Sequence, residues 1–325
     1  MKKREYWIDN IKLLACVLVA LGHLLQSFVK SNIMQETELY NWFNTIIYYF
    51  HVPLFFICSG YLYLRNSEPF SIENHCKNIF KKFITLGIPF FVFSILTYIL
   101  KNIFSNYVNN EIGSLLDILF INPYPPYWYL YTLFVLYCIV PSIKKINSVV
   151  LLLVFSFALK IMNISVSSSV FILFSIMTNM FWFVFGMFIN FVYKEKMESK
   201  LRYIANILFI IFIILSVFLY TYNNGFIDFF MGFIMCVAIL CVFASKFNYK
   251  IMMSSYTTPI FLMHTIFASS TRTILNLFNF SSTMVHLIFG LLSSFVFPIL
   301  ATKLLEYIRM DYIINPNKLI NSKND

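Results

Sequence analysis

A lysine and a histidine stand eleven residues apart in the first apolar stretch, which runs Trp7-Ile-Asp-Asn-Ile-Lys12-Leu-Leu-Ala-Cys-Val-Leu-Val-Ala-Leu-Gly-His23. At about 100° per residue this is about three turns, so both side chains share one helical face, roughly 16 Å apart along the axis. Ionisable groups inside a membrane helix are costly and point to function by default. Imidazole is the natural general base near neutral pH, and an ammonium offers a compact positive charge to an anion. The plainer alternative is that Lys12 snorkels to the interface and His23 hydrogen-bonds a neighbouring helix.

The next apolar stretch carries His51 in Phe50-His-Val-Pro-Leu-Phe-Phe56. Run in the opposite direction, it is expected to bring His51 to a depth similar to that of His23. Pro53 is expected to disturb the helix and free backbone carbonyls toward a cavity. Ser59-Gly60 reads as a site of close helix packing. Lys81 and Lys82 precede the third stretch, where they can set topology or, together with Lys12, hold a phosphorylated ligand. Trp128-Tyr129, expected at the outer end of the fourth stretch, is either an interfacial anchor or a platform for sugar stacking. His264 is expected at mid-membrane, His286 near an interface, and His75 solvated in a loop.

Other chemistry finds little footing. The six cysteines are scattered without metal-ligand spacing, so neither a metal site nor a disulfide frame is expected. There is no phosphate-cradling glycine loop, zinc-protease helix or nucleophile elbow. Base-assisted direct transfer therefore fits better than a covalent serine route.

The elements that must hold these residues are membrane helices. Hydrophobic residues make up 60% of the 325 and charged residues 12%, with a mean hydropathy of +0.77. A soluble domain is nearer 45–50% apolar and about 25% charged. An all-α integral membrane protein follows, a single domain over 1–325 with about ten spans. These fall near 8–29, 43–64, 83–104, 127–143, 147–163, 170–193, 204–221, 226–244, 256–275 and 283–308. The first reads as a retained helix, since no small-residue cleavage site follows it.

With a cytoplasmic N-terminus, nineteen of the 24 basic residues fall in inner segments. Only Lys30, Lys101 and Arg272 lie at outer ends, while Lys12 and Lys160 lie within spans. This asymmetry predicts that both termini are cytoplasmic. The net charge of +10 is thus a topology signal, and nucleic acid is not an expected partner.

These residues resemble the type 3 membrane acyltransferase family, multi-span O-acyltransferases of bacterial glycans. Its hallmark is an arginine, ten residues, then a histidine in the first span after an Ile-Asp pair. Here Ile8-Asp9 precedes Lys12 and His23 with that gap, lysine replacing arginine. The lysine and the Phe50–Phe56 segment, followed by Ser59-Gly-Tyr-Leu62, are closer to the fucose 4-O-acetylase-like branch. Pro126-Tyr-Trp128-Tyr-Leu130 and Ser255-Tyr256 through His264 resemble further segments of that branch.

The resemblance implies acetyl-CoA, or another acyl-CoA, as donor substrate, with no bound cofactor. It implies a surface carbohydrate or lipid-linked glycan as acceptor, and the bacterial plasma membrane as location. Lys12, Lys81 and Lys82 would meet donor phosphates. His23 would be the base, His51 a second acid/base or orienting group, and Asp9, Trp128, Tyr129 and His264 acceptor-binding or supporting residues. The alternative is a transporter or flippase of a lipid-linked glycan, with the buried charges lining its path.

Overall fold

The computed structural model describes residues 4–108, 111–166, 169–193 and 198–318, the side chains of 198–200 excepted. Lys2, Lys3, Lys194, Lys196 and Lys323 of the charge count, and Ser167 and Ser168 of the polar connection expected at 165–169, lie outside the described residues. In lipid every backbone polar group must be satisfied within the protein, and a helix does this within its own segment. The described residues accordingly form eleven α-helices and no strand. They are α1 (Tyr6–Lys30), α2 (Glu38–Asn66), α3 (Ile72–Lys82), α4 (Ile88–Ile103), α5 (Trp128–Ile139), α6 (Ile146–Ser165), α7 (Phe171–Val192), α8 (Glu198–Leu219), α9 (Gly225–Lys246), α10 (Thr257–Leu277) and α11 (Thr283–Tyr307). A π-helical turn, Phe83–Gly87, joins α3 and α4 into one rod. Thr37, Ser71 and Asn224 start α2, α3 and α9 by accepting backbone N–H groups of the first turn.

Each expected span coincides with a helix. Eight helical stretches are long and apolar enough to cross a membrane; α5 and α10 are the other two. The 12-residue α5 extends about 18 Å, against about 30 Å of hydrocarbon. The expected crossing at 127–143 is therefore corrected to a half-length helix. Its end was visible in the sequence: Val140 is extended (φ −91°, ψ 113°) and precedes Pro141, a position that disfavours the helical conformation.

The segment before α5 dips into the bundle. Tyr127 is fully buried, and its hydroxyl donates to Leu262 O of α10 at 3.0 Å. Irregular backbone is tolerated at such depth where protein surrounds it. With 21 residues, about 32 Å, α10 is long enough to cross, but Thr257, Thr258, His264, Ser269, Ser270 and Arg272 lower its hydropathy.

Contacts fix the directions of the helices around α1. Cys58 Sγ donates to Ile8 O (3.9 Å) and Gln26 Nε2 to Asn44 Oδ1 (3.3 Å), so α2 runs antiparallel to α1. Cys16 Sγ donates to Thr257 O (3.6 Å), and further along Ser27 meets Arg272, so α10 runs parallel to α1. Thr283 Oγ1 donates to Ile33 O (2.8 Å) while His286 packs edge-on against Phe28, so α11 is antiparallel to α1. The start of α1 and the end of α11 thus share one end of the bundle.

The tightest seam joins α2 and α7. A Cβ placed on Gly60 would stand 1.8 Å from Phe183 O, and one on Gly186 would stand 2.0 Å from Ile57 O. The packing role expected of Ser59-Gly60 is therefore met by backbones in direct contact. Pro53 departs from expectation. The helix continues through it, and the Tyr49 carbonyl that it leaves unbonded faces α9, where a Cβ on Gly232 would lie 2.3 Å from that oxygen. The freed carbonyl serves helix packing and does not face a cavity.

One histidine expectation also changes. His75 is not a solvated loop residue: it lies on α3 and its Nε2 bonds Cys138 O at 3.0 Å, docking α3 on the end of α5. His286 is 1% exposed and its Nε2 bonds Phe280 O at 2.8 Å.

Candidate active site

The face of α1 that turns toward α10 carries Cys16, His23 and Ser27, which meet Thr257, His264 and Arg272. The rings of His23 and His264 are stacked, with centroids 5.6 Å apart and planes inclined by 29°. His264 is buried, and its Nδ1 lies 3.0 Å from Ile260 O and 2.9 Å from Phe261 O. Both partners are acceptors, so Nδ1 carries the proton and Nε2 keeps its lone pair. That Nε2 is buried with no hydrogen-bond partner among the described residues.

His51 has the same design. Its Nδ1 lies 2.7 Å from Ile47 O, which assigns the proton to Nδ1 and leaves Nε2 as the basic nitrogen. The α2 stripe Asn44, Tyr48, His51, Phe55, Cys58 faces α1, as the Gln26 and Ile8 contacts and the approach of Tyr48 to Gly22 show. His51 lies within electrostatic reach of His23. By the register of the two helices it is displaced toward the start of α1 by roughly 6–12 Å, so the two are not level. The partner level with His23 is His264.

Lys12 lies within electrostatic reach of Cys58 and of Tyr137 on α5. Lys82 Nζ sits 4.3 Å from the centroid of the same Tyr137 ring. The structure thus places Lys82 on the ring of Tyr137, which lies within electrostatic reach of Lys12 near the start of α1. Lys81 is exposed and takes no contact there. Asp9 pairs with Arg4 at 2.7 Å in the first turn of α1, where a carboxylate favours the helix N-terminus and serves the fold.

The two members of the aromatic pair differ in burial: Tyr129 is buried and Trp128 is half-buried. The Tyr129 hydroxyl is bonded to Ser59 Oγ at 2.9 Å, and its ring packs with Phe55 at 5.4 Å and Phe261 at 5.5 Å. Trp128 packs against Phe56 and Phe171. Phe55 and Phe261 lie at depths between Lys12 and the His23–His264 pair, so any chain joining the two ends must run beside them. The sequence marks Arg272 only as an outer-end charge and does not single out Tyr137. Nothing local distinguishes Tyr137 among 21 tyrosines, but an arginine eight residues after a mid-membrane histidine was an available signal.

This arrangement offers cations for an anionic ligand at one end of a helix and unprotonated imidazole nitrogens three turns away. The family model described as an acyltransferase domain, that of the type 3 acyltransferases, matches residues 5–303. The chain belongs to the type 3 acyltransferase family. It is a multi-pass membrane acyltransferase, which removes the ground for a non-enzymatic transporter. No curated protein and no solved structure matches the chain.

Proposed function

We propose that this acyltransferase moves an acetyl group from acetyl-CoA to a hydroxyl of a glycan at the cell surface, or one being exported to it. The single observation that supports this most is that α1 carries both halves of the reaction on one face. Near its start Lys12 lies within electrostatic reach of Tyr137, the ring that Lys82 covers, and about three turns on His23 stacks on His264. The lysines would hold donor phosphates as point charges, leaving the extended thioester arm to run along α1 past Phe55 and Phe261.

At the far end His23 takes the proton from the acceptor hydroxyl as its oxygen attacks the thioester carbonyl. The new C–O ester bond forms, the C–S bond breaks, and the proton passes to the departing thiolate. His264, with its proton fixed on Nδ1, presents Nε2 to the same space and orients or relays that proton. His51 stands on the donor side of the pair.

The direct test is transfer of labelled acetyl from acetyl-CoA to surface glycan in cells bearing the gene and in a deletion strain. Label in ester linkage only in the former is the expected result. Equal labelling in both, or no alkali-labile ester, overturns the reading.

Charge placement supports a cytoplasmic position for both termini, which gives the lysine end access to cytoplasmic acyl-CoA. Reporter fusions at the C-terminus and in the Tyr222–Gly225 turn should report opposite sides. Matching sides would overturn this orientation.

A further inference from the structure

Arg272 is the least explained charge near the histidines. It is 7% exposed, in the stretch of α10 just beyond His264, and its Nη1 donates to Ser27 Oγ, one turn beyond His23 on α1. Its Nη2 donates to Tyr107 O at 3.3 Å. Both acceptors are neutral, and among the described residues no carboxylate pairs with it. Burying a charge without a counter-charge is costly, and hydrogen bonds to neutral oxygens recover only part of that cost. A cross-link between α1 and the Tyr107 turn needs only a neutral donor. The two bonds use two of five guanidinium donors, which leaves the remainder of the planar fork for a ligand.

The neighbourhood is cationic. Lys30, at the end of α1, lies within electrostatic reach of His23 and of Lys101, the last-turn lysine of α4. Lys101 Nζ stands 3.7 Å from the centroid of the Tyr124 ring, in the segment that dips beside α10. Asp117 lies within electrostatic reach of Tyr124, and its Oδ1 accepts a hydrogen bond from Asn122 Nδ2 at 2.9 Å. The three basic residues that the sequence assigns to outer ends thus gather on the side of the His23–His264 pair opposite Lys12 and Lys82.

We infer that Arg272 binds an oxyanion carried by the acceptor, a carboxylate or a phosphate ester beside the hydroxyl to be acylated, with Lys30 and Lys101 attracting it to the site. This names the acceptor class and rests on the acyltransferase reading above. Donor and acceptor anions then enter from opposite ends, each to its own cations, and meet at the histidines.

The test uses the full chain in lipid nanodiscs with CoA saturating, so that Lys12 and Lys82 are occupied. Binding of labelled glucose 1-phosphate, glucuronate and glucose is compared. At least tenfold tighter binding of one or both anionic sugars is expected, and which of them binds tells phosphate from carboxylate. Arg272→Gln should erase the preference, and Arg272→Lys should keep part of it and show that the fold survives. Equal or absent binding of the three sugars, or a preference unchanged in Arg272→Gln, overturns the inference. Acetyl-CoA binding is measured on the same preparation. Retained acetyl-CoA binding without anion preference refutes only the role of Arg272. Lost acetyl-CoA binding in the wild type refutes the donor assignment itself.

Discussion

Replacing His23 by alanine or glutamine should lower acyl transfer by about 10²–10⁴-fold, the usual loss for a positioned general base. The protein should remain in the membrane at wild-type level, because His23 makes no hydrogen bond that holds two helices together among the described residues. On the proposed reading, the glycan from such cells should then lack its ester, measured as alkali-released acetate per sugar. The stacked partner makes the assignment sharper. His264 holds its ring by two backbone carbonyls and keeps a free Nε2, so His264→Ala should impair transfer less than His23→Ala. His51→Ala should be impaired as well, by the removal of a group within electrostatic reach of the pair. Normal transfer by His23→Ala, or a greater loss in His264→Ala, moves the base from α1 to α10. His75 is unsuitable as a silent control because it docks α3 on α5.

Removing a lysine from the Tyr137 pair should act on the donor instead. A hydrogen bond to a charged group contributes about 1.5–3 kcal/mol, so Lys12→Leu and Lys82→Leu should each raise the KM for acetyl-CoA roughly ten- to hundredfold. The acceptor KM should stay within a factor of about two, as Arg272 and the histidines lie at the other end. Lys12→Arg should retain most activity, since a guanidinium offers more phosphate-directed donors than the ammonium it replaces. Lys81→Leu should be nearly silent because that side chain is exposed. An unchanged donor KM in Lys12→Leu and Lys82→Leu would remove this end of α1 from the donor site.

Hydropathy made the helices legible because the lipid forces each apolar segment to satisfy its own backbone. It misjudged α5 because the run of apolar residues continues through Val140 and Pro141, and composition cannot see that the backbone has left the helix. Periodicity placed Lys12 and His23 on one face of α1, but it carries no information on which helix covers that face. His51, on the helix next in sequence, therefore looked like the natural partner. The one that stacks on His23 is His264, some 240 residues away in the chain. Lys81 and Lys82 were indistinguishable as a pair in a string of letters. About 100° of helical rotation sends one to solvent and the other to Tyr137.

The seam at Gly60 and Gly186 has a consequence for how the enzyme sits in bilayers of different thickness. A bundle whose helices are longer or shorter than the surrounding hydrocarbon adapts by tilting, at fractions of a kcal/mol per Å. With carbonyls seated where a Cβ cannot go, α2 and α7 cannot slide or tilt past one another and behave as a single stiff plate. The adjustment is left to helices that face lipid over much of their length, such as α6 and α8. The plate carries His51 and the wall of the bundle against which α1 packs. Changes in acyl-chain length of the host lipids should thus be absorbed at the rim, leaving the spacing of the proposed reacting groups largely unchanged.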